Sequence, residues 1–171
     1  WAKNAIRRRE TALMVEGYMD VVSLAVAGFD NAVAPLGTAV TSDQVALLHR
    51  FTSRSDLLFD GDAAGLKATF KAADLLLAGS VHPCVVTLPP GEDPDTIVHS
   101  EGAEALKGYI DGAIDVLDRK IQMLEEHDHF KSIEHTRTAI DRLLPTLRAV
   151  QDPALRDIYI KKVEDSTGVL R

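Results

Sequence analysis

The chain has 171 residues, with 26 Asp+Glu against 19 Lys+Arg and a formal net charge of −7. Apolar residues make up 46% and charged residues 26%, which suits one domain, or one domain with an appendage, built around a sizeable core. The longest mainly apolar stretch, residues 21–29, is far short of the ~20 residues a membrane helix needs, so a membrane span is excluded. The lone Cys84 excludes a disulfide framework and a cysteine zinc site, and fits a reducing cytoplasm. The chain opens at Trp1 rather than Met and is expected to be a piece of something longer.

Charge is uneven. Residues 1–80 carry 8 basic and 9 acidic side chains, residues 81–130 carry 3 and 11, and residues 131–171 carry 8 and 6. An acidic balance argues against gripping a phosphate backbone, which takes Lys and Arg, but not against holding divalent cations.

Four repeats of apolar run, turn and amphipathic run fill residues 11–98. Thr11–Val15 reads as a strand closed by Glu16-Gly17, and Tyr18–Ala27 as a helix stopped by Gly28. Asn31–Ala34 is a weaker strand, followed by a turn at Pro35-Leu-Gly-Thr38. Thr41-Ser-Asp-Gln44 is a capping box opening a helix to about Phe51. Ser55–Phe59 is a third strand, and Ala63–Ala78 a helix with Leu66, Phe70, Ala73 and Leu77 at helical spacing. His82–Leu88 is a fourth strand, interrupted early by Pro83. Such alternation predicts a mainly parallel sheet with helices on both faces. After about residue 98 the strand signal ends. Helical stripes follow at Ile114–Leu124, at Ile140–Leu147 (kinked or broken by Pro145) and after Asp152-Pro153, a small all-helical unit.

The acidic residues fall where the predicted strands end, the edge at which open parallel sheets bind ligands. Glu16 ends the first strand, with Asp20 one turn into the next helix; Asp60 and Asp62 follow the third; Glu92, Asp93 and Asp95 follow the fourth. Close carboxylates repel unless compensated, and oxygen-only ligands favour Mg²⁺ or Mn²⁺ over zinc. Gly17, Gly61 and Gly65 allow tight turns and leave room for a phosphate. Cations beside phosphate suggest phosphoryl-transfer chemistry, with two ions as one scheme.

Val15-Glu-Gly-Tyr-Met-Asp20, Pro35-Leu-Gly-Thr38, Phe59-Asp-Gly-Asp-Ala-Ala-Gly65 and Gly91-Glu-Asp-Pro-Asp95 resemble, in order and spacing, the TOPRIM domain of bacterial DNA primases of the DnaG type. The lead-in Ala2–Ile6, Leu143-Leu-Pro145 and Arg156–Tyr159 are also similar to primase segments, so the resemblance covers nearly the whole chain. It implies the end of a preceding basic subdomain at 1–9, a TOPRIM domain at 10–98 and a helical subdomain of the primase core at 99–171. It further implies template-directed RNA primer synthesis on single-stranded DNA from ribonucleoside triphosphates. Glu16, Asp60 and Asp62 would be the principal metal and catalytic positions, with Asp20, Asp93 and Asp95 completing a site for two Mg²⁺ or Mn²⁺ ions. Glu16 would serve as ligand or as general acid or base. Zinc would belong only to an N-terminal module outside the chain, and the replicative helicase would contact a C-terminal domain also outside it. The alternatives are another TOPRIM enzyme, such as a primase-helicase or an OLD-type nuclease, and a catalytically silent TOPRIM scaffold.

Lys3, Arg7 and Lys67 are weaker candidates for nucleotide or template contact. Lys67 and Lys71, one turn apart, read first as a solvated helix face, and Arg7-Arg8-Arg9 equally as a template contact or an exposed turn. His127, His129 and His135 read as a solvated loop, His49, His82 and His99 as surface or boundary residues, and Cys84 as a core thiol.

Overall fold

The computed structural model describes residues 1–35, 37 and 39–169; Leu36 and Thr38 of the expected turn lie outside the described residues. Helix α1 (Lys3–Arg9) leads into β1 (Ala12–Met14), α2 (Tyr18–Val26), β2 (Ala32–Val33), α3 (Ser42–His49), β3 (Arg54–Leu57), α4 (Ala63–Ala78) and β4 (His82–Val85). There follow α5 (Pro94–Glu101), α6 (Ala103–Asp111), β5 (Ile114–Asp115), α7 (Val116–Glu126), α8 (Ile133–Ala149) and α9 (Pro153–Thr167). The sheet order is β2-β1-β3-β4-β5, parallel from β2 to β4 with β5 antiparallel at the edge.

Local chemistry sets the boundaries. The Thr41 hydroxyl accepts the Gln44 N–H at 3.3 Å while the Gln44 carboxamide accepts the Thr41 N–H at 3.0 Å, the reciprocal cap that opens α3. Asp62, Asp93, Asp115, Ser132 and Asp152 likewise cap α4, α5, α7, α8 and α9 through their side-chain oxygens. Gly102, at φ +89°, separates α5 from α6, a conformation that an L side chain adopts only with strain.

The pleat divides the core. Met14, Leu57 and Val85 face a cluster completed by Val45 of α3, Leu76 of α4, Leu117 of α7, Leu143 of α8 and Tyr159 of α9. Leu13, Val15, Leu58 and Val86 face the opposite cluster, with Leu24 of α2, Ile97 of α5 and Leu106 of α6. Each fully buried Leu contributes about 1.5–3 kcal/mol relative to exposure. Helices α7–α9 therefore have no core separate from the sheet; they cover one face of it beside α4.

Three elements depart from the expected pattern. Residues 114–115, placed in a purely helical tail, form β5, with Ile114 opposite Val85 and Asp115 opposite Cys84. Pro83 lies within β4, because β5 is too short to reach it and its missing N–H loses no partner on that edge. Helix α8 runs unbroken through Pro145, between the fully buried Leu143 and Thr146. The hydroxyl of Thr146 donates to Asp74 of α4 at 2.7 Å, so packing holds the helix together where propensity would end it.

Candidate metal centre

Strands β1 and β3 are parallel neighbours, with Met14 opposite Leu57, so the residues just beyond their carboxyl ends meet. Glu16 and Asp60 are joined there, the Asp60 N–H donating to Glu16 Oε1 at 3.2 Å. Asp20 Oδ2 accepts the Gly17 N–H at 2.9 Å, Asp62 Oδ1 accepts the Gly65 N–H at 2.7 Å, and Asp93 Oδ1 accepts the Thr96 N–H at 2.7 Å. Each of these four carboxylates thus has one oxygen fixed by the backbone and a second left over. Capping alone accounts for Asp62 and Asp93, but not for Glu16 and Asp60.

The glycines do a different job from the one expected. A Cβ on Gly65 would lie 2.4 Å from the Asp60 carbonyl oxygen and 2.8 Å from Glu16 Oε1. A Cβ on Gly61 would lie 2.8 Å from the Pro89 carbonyl oxygen, and the Gly61 N–H donates to the Glu92 carbonyl at 3.1 Å. The space these glycines leave is taken by the protein's own backbone and by Glu16, not kept open for a phosphate. Their absent side chains let α4 and the Pro89–Glu92 turn close on the Asp60–Asp62 turn, which brings Asp93 toward it.

The electrostatics identify the group. Burial first, and then the charges of Glu16, Asp20, Asp93 and Asp62, push the Asp60 carboxyl up from 3.8 to about 6. Asp20 is raised by burial, against the opposing Gly17 N–H, and further by Asp93 and Asp95. Asp60 is thus within electrostatic reach of Glu16, Asp20, Asp62 and Asp93, and Asp20 of Asp93 and Asp95. Among the described residues no group of three or more His, Cys, Asp or Glu side chains is already placed to hold a metal ion, so the carboxylates would have to turn inward to do so. The donors are carboxylate oxygens alone, anchored on one side and mutually repelling, a set that suits a hard divalent cation.

The weaker candidates lie elsewhere. Lys3 and Arg7 sit over the Phe51 ring, 5.6 and 4.8 Å from its centroid. Arg7 lines a cavity of about 900 Å³ with Thr11 and Arg54, at the amino ends of the strands and across the sheet from the acidic crevice. Arg8 and Arg9 are paired with Asp30 at 2.6 and 3.0 Å. Lys67 is exposed on α4. His129 accepts from Arg142 at 3.1 Å and meets the His135 ring edge-on at 5.8 Å, beside exposed His127. Lys71 is exposed on α4, in keeping with its reading as a solvated helix residue, and it also lines a cavity together with Glu16. Its spacing from Asp62 gave no signal of this, because the face of α4 that meets Glu16 is set by tertiary packing.

A parallel sheet gathering carboxylates at its strand ends is the architecture of a Toprim-like domain, and the family model so described matches residues 13–98. The model described as the DnaB-helicase binding domain of primase matches residues 120–171. The chain is 36% identical over 160 residues to the DNA primase of Clostridium acetobutylicum, an alignment covering 94% of this chain and 27% of that protein. It is 40% identical over 133 residues to the Aquifex aeolicus DNA primase, covering 78% of this chain and 27% of that one. Among solved structures it is similar to the Aquifex aeolicus primase zinc-binding and RNA polymerase domains (TM-score 0.86, 34% identity, 99% of this chain and 40% of that one). It is also similar to the E. coli primase catalytic core (TM-score 0.82, 33% identity, 95% and 53%). The chain belongs to the DnaG-type DNA primase family, and it spans little more than a quarter of the length of these curated relatives. The likeness to a helicase-binding domain falls on α7–α9, inside this chain, whereas the sequence reading placed the helicase contact outside it. No helix among the described residues is long and apolar enough to cross a membrane.

Proposed function

We propose that this chain supplies the metal-binding part of a primase catalytic core, which makes RNA primers on single-stranded DNA from ribonucleoside triphosphates during cytoplasmic DNA replication. Glu16, Asp60 and Asp62 hold the cations, with Asp60 central, and Asp20, Asp93 and Asp95 complete the acidic wall. Mg²⁺ or Mn²⁺ bound there supplies activation of the primer 3′-hydroxyl and neutralisation of the triphosphate. The protein's own part is orientation. Backbone N–H groups of Asp60, Gly17, Gly65 and Thr96 hold one oxygen each of Glu16, Asp20, Asp62 and Asp93, which leaves the second oxygen of each free to turn toward a cation. The Asp60 carboxyl, held near 6, gives up its proton readily when a cation is offered.

The observation that carries this reading is the gathering of carboxylates at three strand ends, where the Asp60 N–H donates to Glu16 and Asp62 and Asp93 cap the helices that follow β3 and β4. The likeness of residues 120–171 to a helicase-binding domain supports a replicative helicase as partner, meeting the chain at α7–α9. Asp60→Ala, made in the full-length protein that carries this sequence, is expected to abolish primer synthesis while leaving thermal unfolding cooperative. Normal primer yield from that variant would refute the assignment.

A further inference from the structure

Resting on the metal reading above, we propose that Lys71 is the cation that receives the phosphates of a nucleotide bound at the acidic crevice. Lys71 and Glu16 line one cavity of about 390 Å³, walled by Phe59, Ala68, Ala72 and Leu75. Side chains on a helix lean toward its amino end, which for Lys71 is the end of α4 capped by Asp62.

The need for such a cation follows from charge. A phosphate chain entering a crevice of six carboxylates is repelled wherever no positive charge answers it. Arg54, Lys107 and Lys120 are already paired with Asp56, Asp111 and Asp74. Lys71 has no ion pair or hydrogen bond among the described residues. Lys67, one turn earlier on the same helix, is exposed like Lys71 but does not line the cavity, and so serves as an internal control.

The test titrates the chain with inorganic pyrophosphate, with and without Mn²⁺, by calorimetry, and follows Mn²⁺ binding alone by water-proton relaxation. Lys71→Gln is expected to bind Mn²⁺ as the parent chain does and to lose about tenfold in pyrophosphate affinity. Lys71→Arg should retain most of that affinity, and Lys67→Gln all of it. Equal pyrophosphate affinity in Lys71→Gln would overturn the proposal, as would an equal loss in Lys67→Gln. Failure of the parent chain to bind Mn²⁺ would refute the metal reading by itself. A Lys71-dependent affinity for pyrophosphate alone would then still support the role given to Lys71, and its absence would overturn it.

Discussion

Replacing Asp60 by Asn should stabilise the metal-free chain at pH 8. In the folded chain burial and four neighbouring carboxylates hold this carboxyl near 6 instead of 3.8, and among the described residues it accepts no hydrogen bond in return. That displacement is worth at most about 3 kcal/mol, and solvent screening at a position that remains partly exposed reduces it to about 1 kcal/mol. The sign follows from proton binding. Between pH 4 and 6 the folded state holds the Asp60 proton more tightly than the unfolded chain does, so stability falls as pH rises through that window. Asn carries no charge at any pH and removes this decline. Thermal unfolding followed by circular dichroism in EDTA should show the Asn variant melting about 2–4 °C above the parent at pH 8, with the gap closing toward pH 4. Saturating Mn²⁺ reverses the order: at a hundred times its dissociation constant it adds about 2.7 kcal/mol to the parent and far less to the variant. An Asn variant no more stable than the parent at pH 8 would refute the crevice electrostatics.

Two further predictions concern the union of sheet and helices. His82 Nε2 lies 3.1 Å from Asp115 Oδ2, which raises the imidazole to about 9, so its stabilisation is complete below about pH 6.5 and lost as pH rises through 9. His82→Gln should flatten the stability profile between pH 7 and 10 by about 1 kcal/mol after screening, read by urea unfolding; an unchanged slope would contradict the pairing. Lys120, nearly buried, donates to Asp74 at 3.2 Å between α7 and α4, so Asp74→Ala leaves a cation without its counter-charge and should cost roughly 3 kcal/mol. Adding Lys120→Met should recover most of that loss, and a cost below ~1 kcal/mol for the single variant would refute the burial argument.

Much of this arrangement was legible in the chain itself. Thr41 and Gln44 announce α3 because a capping box satisfies backbone groups locally, without help from the rest of the fold. The six carboxylates could be grouped because parallel strands send their carboxyl ends to one edge, whatever their separation in sequence. Tertiary packing set the rest. Two residues cannot announce a strand, and Ile114–Asp115 is one only because β4 leaves an edge for it to pair with. Pro145 reads as a break until Thr146 is seen bonded to Asp74. Gly61 and Gly65 read as room for a ligand until the atoms filling that room are known. Lys71 reads as solvated and is exposed, but that it shares a cavity with Glu16 depends on how α4 packs.

The central claim is that Glu16, Asp60 and Asp62 hold divalent cations, and crystals of the chain soaked in Mn²⁺ and measured for anomalous scattering test it most directly. The account predicts density among the free oxygens of those three side chains, lost in the Asp60→Asn variant. Density confined to another part of the molecule, such as the His129–His135 pair, or none at millimolar Mn²⁺ in a well-ordered crystal, would contradict it.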